Sequence, residues 1–160
     1  MIRSMLPAYT TESGGWAVWC PYCGCLHTHG PIPGHVVAHC INPDSPFRRG
    51  GGYVLIPTGE PLPEGAIKLH DKGLAQLNRY LNLNYFTKKL FPYTPRNNPE
   101  WGKPFVLRTD CETHIINWAN QNGKTPKEIN TLKRNLEEEW AIFSSYNTTA
   151  GTTVGGGRSL

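Results

Sequence analysis

Trp19-Cys20-Pro21-Tyr22-Cys23-Gly24-Cys25-Leu26-His27-Thr28-His29, answered by His35-Val36-Val37-Ala38-His39-Cys40, is the stretch on which the reading of this chain turns. It crowds thiols and imidazoles, the soft and borderline metal ligands, into a segment rich in glycine and proline. Cys20 and Cys23, two residues apart, can close a knuckle on one ion, and tetrahedral zinc then needs two more ligands from elsewhere. Cys40 is the third candidate. The fourth is open among His27, His29, His35 and His39, with Cys25 as a further possibility. His29 is preferred because Gly30 and Pro31 follow it at a turn back toward the next strand. In regular β geometry His39 and Cys40 face opposite ways, which argues against that pair of neighbours sharing an ion. A Cys3His zinc site of Cys20, Cys23, His29 and Cys40 is the expected arrangement.

The charge pattern around this stretch agrees with an internal metal. From residue 13 to residue 43 there is no Asp, Glu, Lys or Arg, and an ion with thiolate and imidazole ligands would organise such a segment from within. The same gap argues against catalysis, since a catalytic zinc needs an open position and a nearby general base. A Cys20–Cys23 redox pair lacks the βαβ context that goes with that chemistry. Among activities, a zinc-supported nuclease using His35 or His39, with Gly50-Gly51-Gly52 behind them, comes closest. Its Asp–His pair is not evident, and the reading leans away from an enzyme.

Outward from the cysteines, Trp16 to Trp19, His35 to Ile41 and Tyr53 to Ile56 have strand character. Residues 13–57 therefore read as a zinc-binding β-ribbon, preceded by an arm without strong pattern over 1–12. Pro57, Pro61 and Pro63 punctuate a linker. Leu74, Leu77 and Leu81 begin an amphipathic helix near Asp71. Thr109-Asp110-Cys111-Glu112 fits a capping box for a second helix that stops at Asn122-Gly123. Thr125-Pro126-Lys127-Glu128 opens a third, running to about Ser145, with Ile129, Leu132, Leu136, Trp140 and Phe143 as its apolar stripe. Cys111, inside a helical pattern, reads as a small buried residue. The expected class is α+β: a small N-terminal zinc-stapled ribbon, a helical segment over 70–146, and a flexible Gly/Thr-rich tail over 147–160.

The chain has 160 residues, a net charge of +4 and a pI near 8.8. Between His70 and Arg108 seven basic residues (Lys72, Arg79, Lys88, Lys89, Arg96, Lys103, Arg108) face two acidic ones (Asp71, Glu100). Tyr80, Tyr85, Phe86, Phe91, Tyr93, Trp101 and Phe105 are interleaved with them. Cations neutralise phosphates and aromatic faces stack on unpaired bases, so this segment is the candidate nucleic-acid surface. Arg48, Arg49, Lys72, Arg79, Tyr85, Lys88, Lys89, Tyr93 and Arg96 are its candidate contacts. The competing reading places Tyr80 and Phe86 in the core with the basic residues as a solvated rim. A nucleic acid or nucleoprotein complex is the expected partner, with a host or virion protein as the alternative. Neither a secretion signal nor a membrane span is legible, so a cytoplasmic or virion location is expected.

The strings Trp19-Cys20-Pro21-Tyr22-Cys23, His27-Thr28-His29-Gly30, Gly34-His35-Val36-Val37-Ala38-His39-Cys40 and Gly52-Tyr53-Val54-Leu55 resemble small uncharacterised zinc-motif proteins of bacterial and phage genomes. The likeness covers about a quarter of the chain. It implies a metal-binding module and a phage or mobile-element setting, and it implies no reaction. Cys25 is extra to the pattern.

Overall fold

A five-stranded sheet forms in the N-terminal half of the chain, with its residues 5–9, 16–20 and 53–57 buried on both faces. A computed structural model describes residues 4–151, with side chains through 144. The strands are β1 (Met5–Thr10), β2 (Trp16–Cys20), β3 (Cys25–His29), β4 (Gly34–Val36) and β5 (Tyr53–Pro61). They lie in the order β3-β2-β1-β5-β4, with β1 parallel to β5 and the other neighbours antiparallel. The helices are α1 (Pro46–Arg49), α2 (Ala66–Leu81), α3 (Tyr85–Leu90), α4 (Arg108–Gln121) and α5 (Pro126–Gly151), with a 3-10 turn at Glu100–Gly102. The class is α+β, as expected.

Two strands and two short helices are additional to the sequence reading, and the bounds of β4, β5 and α2 differ from it. The expected N-terminal arm supplies β1, which sits between β2 and β5. Pro7 masks it in the sequence, but Pro7 lies where β1 is in register with Ile56 of β5 and beyond its pairing with β2, so the missing N–H breaks no bond to β2. Between the cysteine pair and Gly30, where the sequence pattern marks no strand, lies β3, in which Cys25, His27 and His29 alternate with Leu26 and Thr28. The expected strand over His35 to Ile41 shortens to β4. The expected linker through Pro57 and Pro61 is the second half of β5, held by its register with β1. Helices α1 and α3 were not foreseen, and α2 begins at Ala66 rather than near Asp71.

The sheet joins the two expected segments. Met5, Val54 and Ile56 on one face share a core with Cys111 and Ile115 of α4 and Leu136 of α5. Burying each large apolar side chain there is worth about 1.5–3 kcal/mol. Leu6, Val18, Cys20, Cys25, Tyr53 and Leu55 form a second core, closed by Leu77 of α2 and flanked by Leu74, Leu81 and Tyr93. α5 opens with the capping box expected for it: Thr125 N–H donates to Glu128 Oε1 at 2.9 Å, and Glu128 N–H donates to Thr125 Oγ1 at 3.2 Å. The box expected at Thr109 is not made. α4 starts at Arg108 with Leu107 as its N-cap, and Glu112 pairs with Arg108 at 2.7 Å instead. α5 continues past Ser145 to Gly151, and the rest of the expected tail, 152–160, lies outside the described residues. Among the described residues no helix is long and apolar enough to cross a membrane.

Candidate metal centre

The hairpin β2–β3 positions three of the four donors. Its register pairs Cys20 with Cys25 and Val18 with His27, so the turn carrying Cys23 folds back over the face on which Cys20, Cys25 and His27 stand. Gly24 closes that turn with φ +68, a left-handed conformation suited to glycine. Its N–H donates to Cys20 O at 2.8 Å. The loop after β4 brings in the last donor, Cys40. That loop is tied to the turn by Asn42, which is buried, donates from Nδ2 to Tyr22 O at 3.1 Å and accepts Asp44 N–H at 3.1 Å.

Donor atoms of Cys20, Cys23, His27 and Cys40 all lie within 4.8 Å of one another, and all four residues are buried. Cys20 Sγ and Cys40 Sγ are 3.8 Å apart. Bonds of about 2.3 Å around a tetrahedral ion separate two sulfurs by about 3.8 Å, so the spacing fits. His27 Nε2 is fully buried with no hydrogen-bond partner, an expensive state for an imidazole nitrogen unless an ion takes its lone pair. Outer contacts support the sulfurs. Cys23 N–H donates to Cys20 Sγ at 3.3 Å. Ser45, completely buried at the N-cap of α1, leaves that helix uncapped and sets its hydroxyl 3.1 Å from Cys40 Sγ.

Electrostatics in the cluster pull the thiols apart. Hydrogen bonds from the Cys20, Cys25 and Cys40 side chains lower Cys23 far below an ordinary thiol. The Cys23 and Cys40 side chains, with burial, raise Cys20. Cys25 is raised by its hydrogen bond to Cys23 and then by burial. A divalent cation would favour the thiolate form that burial opposes at Cys20 and Cys25. Burial opposes a charge on His27, but the Cys23 and Cys40 sulfurs outweigh it and raise the imidazole to about 9. Three sulfurs and one imidazole could fill all four positions of a tetrahedral ion.

His29, the preferred fourth ligand, stands outside this group. Side chains on one strand face recur every second residue, so His29 lies about 6.6 Å further along β3 than His27. There it is opposite Trp16 and away from the knuckle. Its Nε2 is 2.6 Å from Tyr53 Oη, and its ring stacks on His39 with centroids 4.5 Å apart. Burial, then His39 and His27, lower it to about 4. His35 Nε2 is 2.6 Å from Gly51 O at an exposed position. His39 is exposed while its neighbour Cys40 is buried, in line with the expected opposition of the two. The alternation Cys25-Leu26-His27-Thr28-His29 was the signal for His27, because a strand there fixes which histidine lies next to the turn.

The candidate nucleic-acid residues divide by environment. Tyr85, Phe86 and Phe91 are 73%, 69% and 69% exposed, so Phe86 is not core. Lys89 Nζ lies 5.1 Å from the Tyr85 ring centroid and Lys88 Nζ 5.9 Å from that of Tyr80. Lys72, Arg79 and Arg96 are exposed, while Lys103 and Arg108 are engaged by Glu100 and by Glu112 and Glu137. Arg48 and Arg49 are exposed on α1, with Arg49 paired to Asp44 at 2.9 Å. Tyr93 is half-buried, and its hydroxyl donates to Cys23 O at 3.0 Å. Burial and then the Cys25, Cys23 and Cys20 sulfurs raise that hydroxyl, which keeps it a donor. Against protein-family models, curated proteins and solved structures, the chain has no match.

Proposed function

We propose that this is a non-catalytic zinc protein in which the ion staples the β2–β3 hairpin to the Cys40 loop, and that the surface around α3 binds nucleic acid. Zinc is the ion that three thiolates and an imidazole in tetrahedral spacing favour. The observation that carries the binding reading is the exposure of Tyr85 and Phe86 beside Lys88 and Lys89 on one short helix, with exposed Phe91 at its C-cap. Soluble domains seldom leave so many rings uncovered without use. Rings offer stacking platforms and the lysines neutralise phosphate, a combination suited to unpaired strands rather than to a groove code. Lys72, Arg79 and Arg96 extend the positive field.

Fluorescence anisotropy with labelled single-stranded oligonucleotides, titrated over a salt series, tests this. Affinity should fall steeply as salt rises, and Lys88→Glu with Lys89→Glu should weaken binding uniformly across sequences while flattening the salt slope by about one unit per lysine. Unchanged affinity in that variant would remove the surface from the account. The exposed Leu83 and Leu90 in the same patch favour a second reading, a protein partner such as a host or virion component. Binding anchored on apolar groups would be nearly insensitive to salt.

A further inference from the structure

Helix α3 has six residues and buries none of them, and a helix that short does not hold itself together in water. Its local support is the Asn84 cap, whose Oδ1 accepts Thr87 N–H at 2.9 Å. The remaining support runs in series back to the metal knuckle. Tyr80 Oη of α2 donates to the Lys88 carbonyl at 3.4 Å, and Lys88 Nζ lies over the same ring. The Tyr80 and Tyr93 rings pack with centroids 5.3 Å apart. Tyr93 Oη then donates to the carbonyl of Cys23, whose sulfur is one of the four donors.

The knuckle is also where α2 rests. A Cβ on Gly73 would overlap the Gly24 carbonyl oxygen, and a Cβ on Gly24 would press on Pro95 and Tyr93 Oη at 3.1 Å. The two peptides on either side of Gly24 are thus held between α2, which meets the Gly24 carbonyl, and Tyr93, which meets the Cys23 carbonyl, and an ion on Cys23 Sγ would tie the same turn to Cys20, His27 and Cys40. We infer that the metal-bound knuckle holds α3 in its binding position through Tyr93 and Tyr80, so that the affinity of the α3 surface for single-stranded nucleic acid depends on metal loading. This regulation rests on the nucleic-acid reading given above, while the mechanical link from knuckle to helix stands apart from it. Tyr93 is then a positioning residue, acting through α3 rather than by touching the strand.

The test is Tyr93→Phe in the zinc-loaded protein, which removes one hydroxyl and keeps the ring on Tyr80. Backbone amide order parameters measured by NMR report the link directly. The expected result is one zinc retained, α4 and α5 as rigid as in the wild type, and Tyr85–Leu90 falling from about 0.85 toward 0.6. Affinity for a labelled oligothymidylate should drop about fivefold, the worth of one net hydrogen bond. Removing zinc from the wild type with EDTA should loosen α3 in the same way. A folded metal-free chain with α3 as rigid as in the loaded protein overturns the metal dependence; if chelation unfolds the whole chain, Tyr93→Phe decides the link from knuckle to helix. An α3 as rigid in Tyr93→Phe as in the wild type overturns the inference. Failure of the zinc-loaded wild type to bind the oligonucleotide overturns the nucleic-acid reading and the metal-dependent affinity with it, whereas the order parameters still decide the mechanical link.

Discussion

His27 and His29 stand on the same face of one strand and have different chemistry. His27 buries an unpartnered Nε2 among three sulfurs, whereas His29 meets the Tyr53 hydroxyl and stacks on His39. Substitution should separate them. His27→Ala should release the ion or weaken its binding by well over the 10–100-fold typical of supporting residues, and His29→Ala should keep one ion per chain; metal analysis of the two purified variants checks both. Retention in His27→Ala and loss in His29→Ala would reverse the assignment. The cysteines of the site were legible because their spacing is itself the signal. The histidine was not, because choosing among neighbours requires the hairpin register, which the sequence does not show.

Among the elements, α5 was legible and α4 only in part, and the difference lies at their first turns. Thr125 and Glu128 are free to bond each other across the start of α5, while Glu112 is drawn to Arg108 and leaves Thr109 without its box partner. Thr125→Ala should therefore cost about 1 kcal/mol, and Thr109→Ala, judged by its capping role, next to nothing; urea denaturation of the two variants gives the comparison. β1 is hidden in the sequence for another reason: its strand identity comes from the β5 register and from burial, neither of which a stretch containing Pro7 announces. The close seat of α2 on the knuckle is also invisible in sequence, since Gly73 looks like any helix-weakening glycine. Gly73→Ala should raise helix propensity yet destabilise the protein by about 1–3 kcal/mol, because its Cβ meets the Gly24 carbonyl. A stabilised variant would show that α2 can shift without cost.

Over the whole molecule, one sheet carries both a helical core on β1 and β5 and the metal group at the β2–β3 turn. Positive charge and exposed rings collect beyond that turn, on α3 and the exposed side of α2. The α+β class and the gathering of the cysteines at one site could be read from the pattern along the chain. The shared sheet could not, because its joining strand lies outside the residues whose pattern announces the metal. X-ray absorption at the zinc edge on the purified protein, with metal quantified per chain, decides whether Cys20, Cys23, His27 and Cys40 hold one zinc ion. The account predicts one zinc with three sulfurs at about 2.3 Å and one nitrogen at about 2.0 Å, and no water ligand. A folded protein without metal, or a zinc with two or more nitrogen or oxygen ligands, would contradict it.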